Sequence, residues 1–265
     1  MSLQNKKLFL FDIDGTLALG DTLFDGSRGL LSHIASIGGK SYFITNNSTK
    51  SGADYVQKFQ KSFQLETTED LFVTSGFMTI RLLKQHFSDK KIYCLGTRSF
   101  VDELRKNGLS VTEKVEPDVA CVLVGFDSEL TYHKLEVACE LLATTDVPFY
   151  ATNPDLCCPV PFGFVPDCGS ICEMLINSTG KTPVYLGKPN AQVVELCMEA
   201  SGFSKEETLV VGDRLYTDIA CGINAGVDTC VLFTGEAKKA DLENTPYPPA
   251  YQFETVADLL AALQQ

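Results

Sequence analysis

Hydrophobic residues in this chain fall into short runs that alternate between two periods. Residues 8–11 are an unbroken apolar run, the pattern of a strand covered on both faces in a parallel sheet. Residues 26–38 carry Leu30, Leu31, Ile34 and Ile37 at helical spacing and close on Gly38-Gly39, which predicts a helix with a glycine stop. A strand over residues 40–45, a helix over 52–63, a short strand near 71–74 and a helix over 77–86 are predicted on the same grounds.

The rhythm restarts at Lys91. Strands are predicted at 92–95, 119–124 and 149–151, with helices at 100–107 and 132–144 between them. A loop rich in Pro and Cys, residues 153–166, leads to a helix at 171–178 and a strand at 184–186. Helices at 191–200, 217–225 and 256–263 then alternate with strands at 208–211 and 228–233, and residues 245–249 read as a surface loop. Strands alternating with helices mean parallel βαβ units, so the expected fold class is α/β.

The polar residues at the strand ends add candidate chemistry. The first strand ends in Asp12-Ile13-Asp14-Gly15. Residues i and i+2 of a strand point the same way, so both carboxylates can face one volume beyond the sheet edge, and Gly15 permits a sharp turn. The second ends in Thr45, Asn46, Asn47 and Ser48, the 184–186 strand in Gly187-Lys188-Pro189, and the 208–211 strand in Gly212-Asp213, with Asp218 five residues on. If these strands neighbour one another, the groups converge at the carboxyl edge of the sheet, where open α/β sheets bind ligands. Each group also has an ordinary structural role. Asp12 and Asp14 can be turn residues, and Thr45 and Asn46 can cap the following helix. Lys188 can be a solvated surface lysine, and Asp213 and Asp218 a loop acid and a helix-start acid. His33, His86 and His133 share no spacing and read as structural.

Length and charge narrow the classes. At 265 residues and 45% hydrophobic, the chain can build one large domain or two modest ones. A net charge of −12 argues against a nucleic-acid backbone or an anionic membrane as partner. No apolar run reaches the roughly 18 residues of a membrane span, and the N-terminus has no secretory pattern, so a cytoplasmic location is expected. The ten cysteines are spread through apolar segments and read as buried thiols. The adjacent pair Cys157-Cys158 lacks zinc-site spacing.

Taken in order, DIDGT at residues 12–16, ITNNS at 44–48, GKP at 187–189 and GDRLYTD at 212–218 resemble the four motifs of the haloacid dehalogenase (HAD) superfamily of phosphatases. Segments VLVGFDSELTYHKL at 122–135 and ATNPD at 151–155 are similar to its NagD or p-nitrophenylphosphatase branch, which carries an α/β cap. The resemblance implies a Rossmann-like parallel-sheet core with a smaller cap domain. From Asp14 to Thr45 is 31 positions, enough for one βαβ crossover and nothing more, whereas Thr45 to Lys188 is 143. The insertion therefore falls in the second gap, with the cap at 77–181 and the core at 1–76 and 182–265.

A phosphomonoester is close to a dianion near pH 7. Each carboxylate about 4 Å away would oppose it by roughly 4 kcal/mol at an effective dielectric near 20. Several acids make sense there only if some bind Mg2+, which prefers hard oxygen ligands. By resemblance, Asp12 is the nucleophile that forms an aspartyl phosphate, and Asp14 is the general acid and base, its carbonyl also a metal ligand. Asp213 ligates the metal, while Asp218 holds a metal-bound water or orients Lys188. Thr45 and Asn46 bind phosphoryl oxygens, and Lys188 offsets transition-state charge. Asn153 and Asp155, in the cap loop 153–161, contact substrate. The expected partner is a small phosphorylated metabolite, with a homodimer formed through the cap. A phosphomutase using the same intermediate and a non-catalytic phospho-metabolite-binding protein are the alternatives.

Overall fold

The strand Leu8–Phe11 has parallel partners on both sides, Thr208–Gly212 and Lys40–Thr45, which is why all four of its residues are buried. In this computed structural model residues 2–48, 50–160 and 162–265 are described. The strand lies within a six-stranded sheet in the order Tyr251–Phe253, Asp228–Leu232, Thr208–Gly212, Leu8–Phe11, Lys40–Thr45, Phe72–Thr74. Phe11 stands level with both Val211 and Phe43. The central strands therefore reach their carboxyl ends together, and the loops that leave them start at one edge.

The chain divides into two compact units, the first built from residues up to Thr45, Gly52–Val73 and Lys188–Gln265, the second from Asn46–Ser51 and Thr74–Gly187. Aromatic packing anchors the first: Phe43 meets Phe59 at 4.6 Å and Phe72 at 5.0 Å between ring centroids. Each such side chain taken out of water contributes about 1.5–3 kcal/mol before entropy is subtracted. The second unit has its own parallel sheet, ordered Val184–Tyr185, Phe149–Ala151, Val119–Val124, Lys91–Leu95, Ser110–Thr112. Its core joins Val122, Val124, Ala138, Leu141, Ile171 and Leu175. Helices of both units begin on threonine: Thr97 accepts from Phe100 N–H at 3.2 Å and Thr255 from Asp258 N–H at 3.2 Å, each satisfying a donor the helix cannot.

The structure corrects one expectation. The strand preceding Lys188 does not lie beside the core strands; Val184 and Tyr185 pair with Tyr150 and Ala151 in the second sheet. Lys188 itself belongs to the first unit. Two edge strands, Ser110–Thr112 and Tyr251–Phe253, were not predicted because three half-exposed residues show no period. The predicted 153–166 loop contains an antiparallel hairpin, Cys157–Val160 with Gly163–Pro166; Pro161, also part of the expected substrate loop, lies outside the described residues. The 52–63 helix is α-helical over Gly52–Lys58 and widens into a π turn over Phe59–Phe63. No helix among the described residues is long and apolar enough to cross a membrane.

Candidate active site

Lys188 is only 3% exposed. Its ammonium donates to Asp12 Oδ1 at 2.7 Å, to Asp218 Oδ1 at 2.6 Å and to the carbonyl of Ile44 at 3.0 Å, using all three donors that lysine has. Burial disfavours the ammonium, but the carboxylates of Asp12 and Asp218 outweigh it and hold the group charged above the ordinary lysine range. The Asp12 carboxyl is pushed up chiefly by burial, with Asp218 and Asp213 adding to the rise and Lys188 opposing it.

Asp213 accepts from Thr16 Oγ1 at 3.1 Å and from the Glu236 N–H at 2.8 Å. Burial, then the charge of Asp218, still raise its carboxyl to about 6. The second oxygen of Asp218 accepts from the Arg214 N–H at 3.0 Å. The close packing depends on glycine. Gly15 has φ +98°, and a Cβ there would stand 2.6 Å from an Asp213 oxygen; at Gly212 it would stand 2.2 Å from the Asp218 Cβ. No other residue fits either place.

Asp14 pairs with Lys58, whose ammonium is 3.4 Å from its Oδ1. Thr45 ends its strand buried. Fully buried Tyr55 lies beside it, and burial followed by the charge of Asp14 pushes the phenol upward. The first unit thus brings together Asp12, Asp14, Thr45, Lys188, Asp213 and Asp218. Asn46, Asn153 and Asp155 belong to the second unit. The carbonyl of Asn46 accepts from Ser75 Oγ at 2.7 Å. Asn153, with no exposure, donates to Asp155 at 2.9 Å and Asp167 at 3.3 Å and accepts from Thr152 at 2.7 Å.

Sequence reasoning passed over Thr16, Tyr55, Lys58 and Glu236. Thr16 lies inside DIDGT and was legible there, whereas Lys58 and Glu236 belong to no motif and carry no signal.

The donor set suits a divalent cation. Asp12, Asp213 and Asp218 each offer a carboxylate oxygen within 4.8 Å of the others, all hard ligands. Three buried carboxylates face one ammonium. Burial first, and then the neighbouring acids, push the carboxyls of Asp12 and Asp213 upward, and a bound cation would offset that crowding of negative charge.

The model of the haloacid dehalogenase-like hydrolase family matches residues 9–110, and a HAD-hydrolase-like model matches residues 185–259. The acid sugar phosphatase of Staphylococcus aureus (strain MRSA252) is 31% identical over 263 residues, 99% of this chain and 100% of that protein. The chain belongs to the haloacid dehalogenase-like hydrolases. Among solved structures of the family, 4-nitrophenylphosphatase from Thermotoga maritima matches with a TM-score of 0.91 and 37% identity, covering 99% of each chain. The glycerol phosphate phosphatase of Mycobacterium tuberculosis, solved in complex with magnesium, matches with a TM-score of 0.87 and 26% identity over 99% of this chain and 78% of that one. This HAD-like hydrolase is of the phosphatase type, as its four motifs led us to expect.

Proposed function

We propose that the protein hydrolyses small phosphomonoesters of sugars or aryl alcohols, with Mg2+ bound and through an aspartyl phosphate on Asp12. The observation that carries this reading is the buried cluster in which Lys188 bridges Asp12 and Asp218 while Asp213 completes three oxygen donors. The names of the relatives, sugar phosphatase, 4-nitrophenylphosphatase and glycerol phosphate phosphatase, support the substrate class.

The carboxylates of Asp12, Asp213 and Asp218 and the main-chain carbonyl of Asp14 would hold the metal. When bound, Mg2+ supplies positive charge that lets a phosphate dianion approach acids and stabilises charge on its oxygens. Asp12 attacks phosphorus, forming a carboxylate–phosphorus bond as the bond to the leaving oxygen breaks. Asp14 gives its proton to that oxygen. It then takes a proton from the water that attacks the aspartyl phosphate, releasing inorganic phosphate and restoring both acids. Lys188 balances the negative charge on Asp12 and on the phosphoryl oxygens. The Thr45 hydroxyl and Asn46 hydrogen-bond those oxygens.

The second unit acts as the cap that selects substrate, with Asn153 and Asp155 shaping its substrate loop through their mutual hydrogen bond. The ten cysteines form no disulfide, which suits a cytoplasmic enzyme. Leu156, just before the cap hairpin, and Phe162 and Phe164 on it are 53%, 83% and 62% exposed, an apolar surface through which two copies would pair. Sedimentation is expected to give a dimer mass that Phe162→Lys lowers to that of a monomer; a monomer at all concentrations in the wild type rejects the pairing.

Phosphate release from 4-nitrophenyl phosphate and a panel of sugar phosphates, with Mg2+ and with EDTA, tests the reaction. Metal-dependent release is expected, abolished by EDTA, and Asn153→Ala should change the ranking across the panel. A folded wild type that releases no phosphate from any ester refutes the proposal, and an unaltered ranking refutes the part given to Asn153.

A further inference from the structure

Lys58 is the last residue of the helix Gly52–Lys58, and its side chain is only 11% exposed. Lysine is seldom buried without a partner, and the partner here is Asp14 Oδ1 at 3.4 Å. The ammonium also lies 5.6 Å from the ring centroid of Phe63, within reach of a cation–π attraction. Phe63 is placed there by the π turn Phe59–Phe63, which ends on Gln64 at φ 53°. Among the described residues Gln64 is the only non-glycine with positive φ. A widened turn and a left-handed residue both cost free energy, and such features concentrate at functional sites.

The consequence for Asp14 is geometric. Lysine only donates hydrogen bonds, so the pairing commits Oδ1 as an acceptor. Among the described residues Oδ2 accepts no hydrogen bond, and the Asp14 side chain is 33% exposed. Oδ2 is therefore the oxygen left to exchange a proton. The contact is longer than an ideal hydrogen bond, as catalytic contacts often are before substrate binds.

We infer that Lys58 is a positioning residue for the acid–base step: it orients the Asp14 carboxyl so that Oδ2 delivers the proton to the leaving oxygen and later takes one from water. This rests on the role proposed for Asp14. As the bond from Asp12 to phosphorus forms and the ester bond breaks, the electron pair of that ester bond stays on the leaving oxygen, which Oδ2 protonates. An alkoxide needs that proton to leave, whereas 4-nitrophenolate leaves readily without it. Misplacing Asp14 therefore slows hydrolysis of an alkyl ester much more than of the aryl ester.

The test is kcat/KM of Lys58→Met and Lys58→Arg on glycerol phosphate and on 4-nitrophenyl phosphate, with thermal unfolding to establish folding. For Lys58→Met both values should fall, and the ratio of aryl to alkyl kcat/KM should rise at least tenfold, within the range of general-acid contributions. Lys58→Arg, which keeps the charge and donors, should return the ratio to within about threefold of wild type. An equal loss on both esters, as expected of a lysine that only stabilises the fold or binds the phosphate, overturns the assignment, and so does no loss on either. If Lys58→Met does not fold, Lys58→Gln gives the same comparison. Failure of the underlying reaction would appear instead in the wild type, which would hydrolyse neither ester.

Discussion

Asp12→Asn is expected to abolish turnover and leave the fold intact. The amide matches the carboxylate in size but cannot form an acyl phosphate, so the covalent route closes. Loss of a nucleophile costs on the order of 10^4-fold or more in kcat. The fold should tolerate the change because the carboxylate is under electrostatic strain: burial, Asp218 and Asp213 all push its protonation upward. A neutral isostere removes that repulsion, and Lys188 keeps Asp218 and the Ile44 carbonyl as partners. Steady-state phosphate release and thermal unfolding on one preparation check both halves. Mg2+-dependent hydrolysis above about one hundredth of wild type would move the nucleophile to another residue, and an unfolded variant would show that the carboxylate supports the structure.

Legibility in the sequence followed the length and regularity of each pattern. The strand Lys40–Thr45 and the helices Tyr132–Thr144 and Val256–Leu263 match their predicted bounds, because each shows a sustained period with a clear stop. Asp12, Asp14 and Asp213 stood out as candidates because acids at the end of an apolar strand are unusual, and polar groups at four strand ends in order form a strong pattern. The strand before Lys188 was assigned to the wrong sheet because two residues, Val184 and Tyr185, carry no information about their neighbours. Lys58 stayed hidden for a different reason. On a helix, a lysine pointing inward and one pointing to solvent occupy the same kind of polar position, and only the fold shows that the ammonium of Lys58 reaches Asp14. For Asn153 the substrate contact came from the family resemblance alone, and no sequence pattern signalled the hydrogen bonds its side chain makes with Thr152, Asp155 and Asp167.

Lys188→Met is expected to damage both catalysis and stability. Methionine fills nearly the same volume but leaves Asp12 and Asp218, 13% and 1% exposed at their side chains, without their shared cation. Removing one partner from a buried ion pair costs about 3–5 kcal/mol, and kcat should fall by about 10^3-fold, as when a preorganised transition-state contact is lost. The stability loss has a defined pH dependence. Lys188 is the largest influence holding the Asp12 carboxyl down, against burial and two neighbouring acids. Without it Asp12 titrates still higher in the folded state than in the unfolded chain, so the folded state binds the extra proton. Such a group favours folding at low pH, and the benefit disappears as pH rises through its folded-state pKa. In EDTA, to remove any contribution from metal, the melting temperature of Lys188→Met should lie far below wild type at pH 8 and approach it at pH 5. A deficit equal at both pH values would mean that methionine disrupts packing, and that Lys188 does not govern the charge of the cluster.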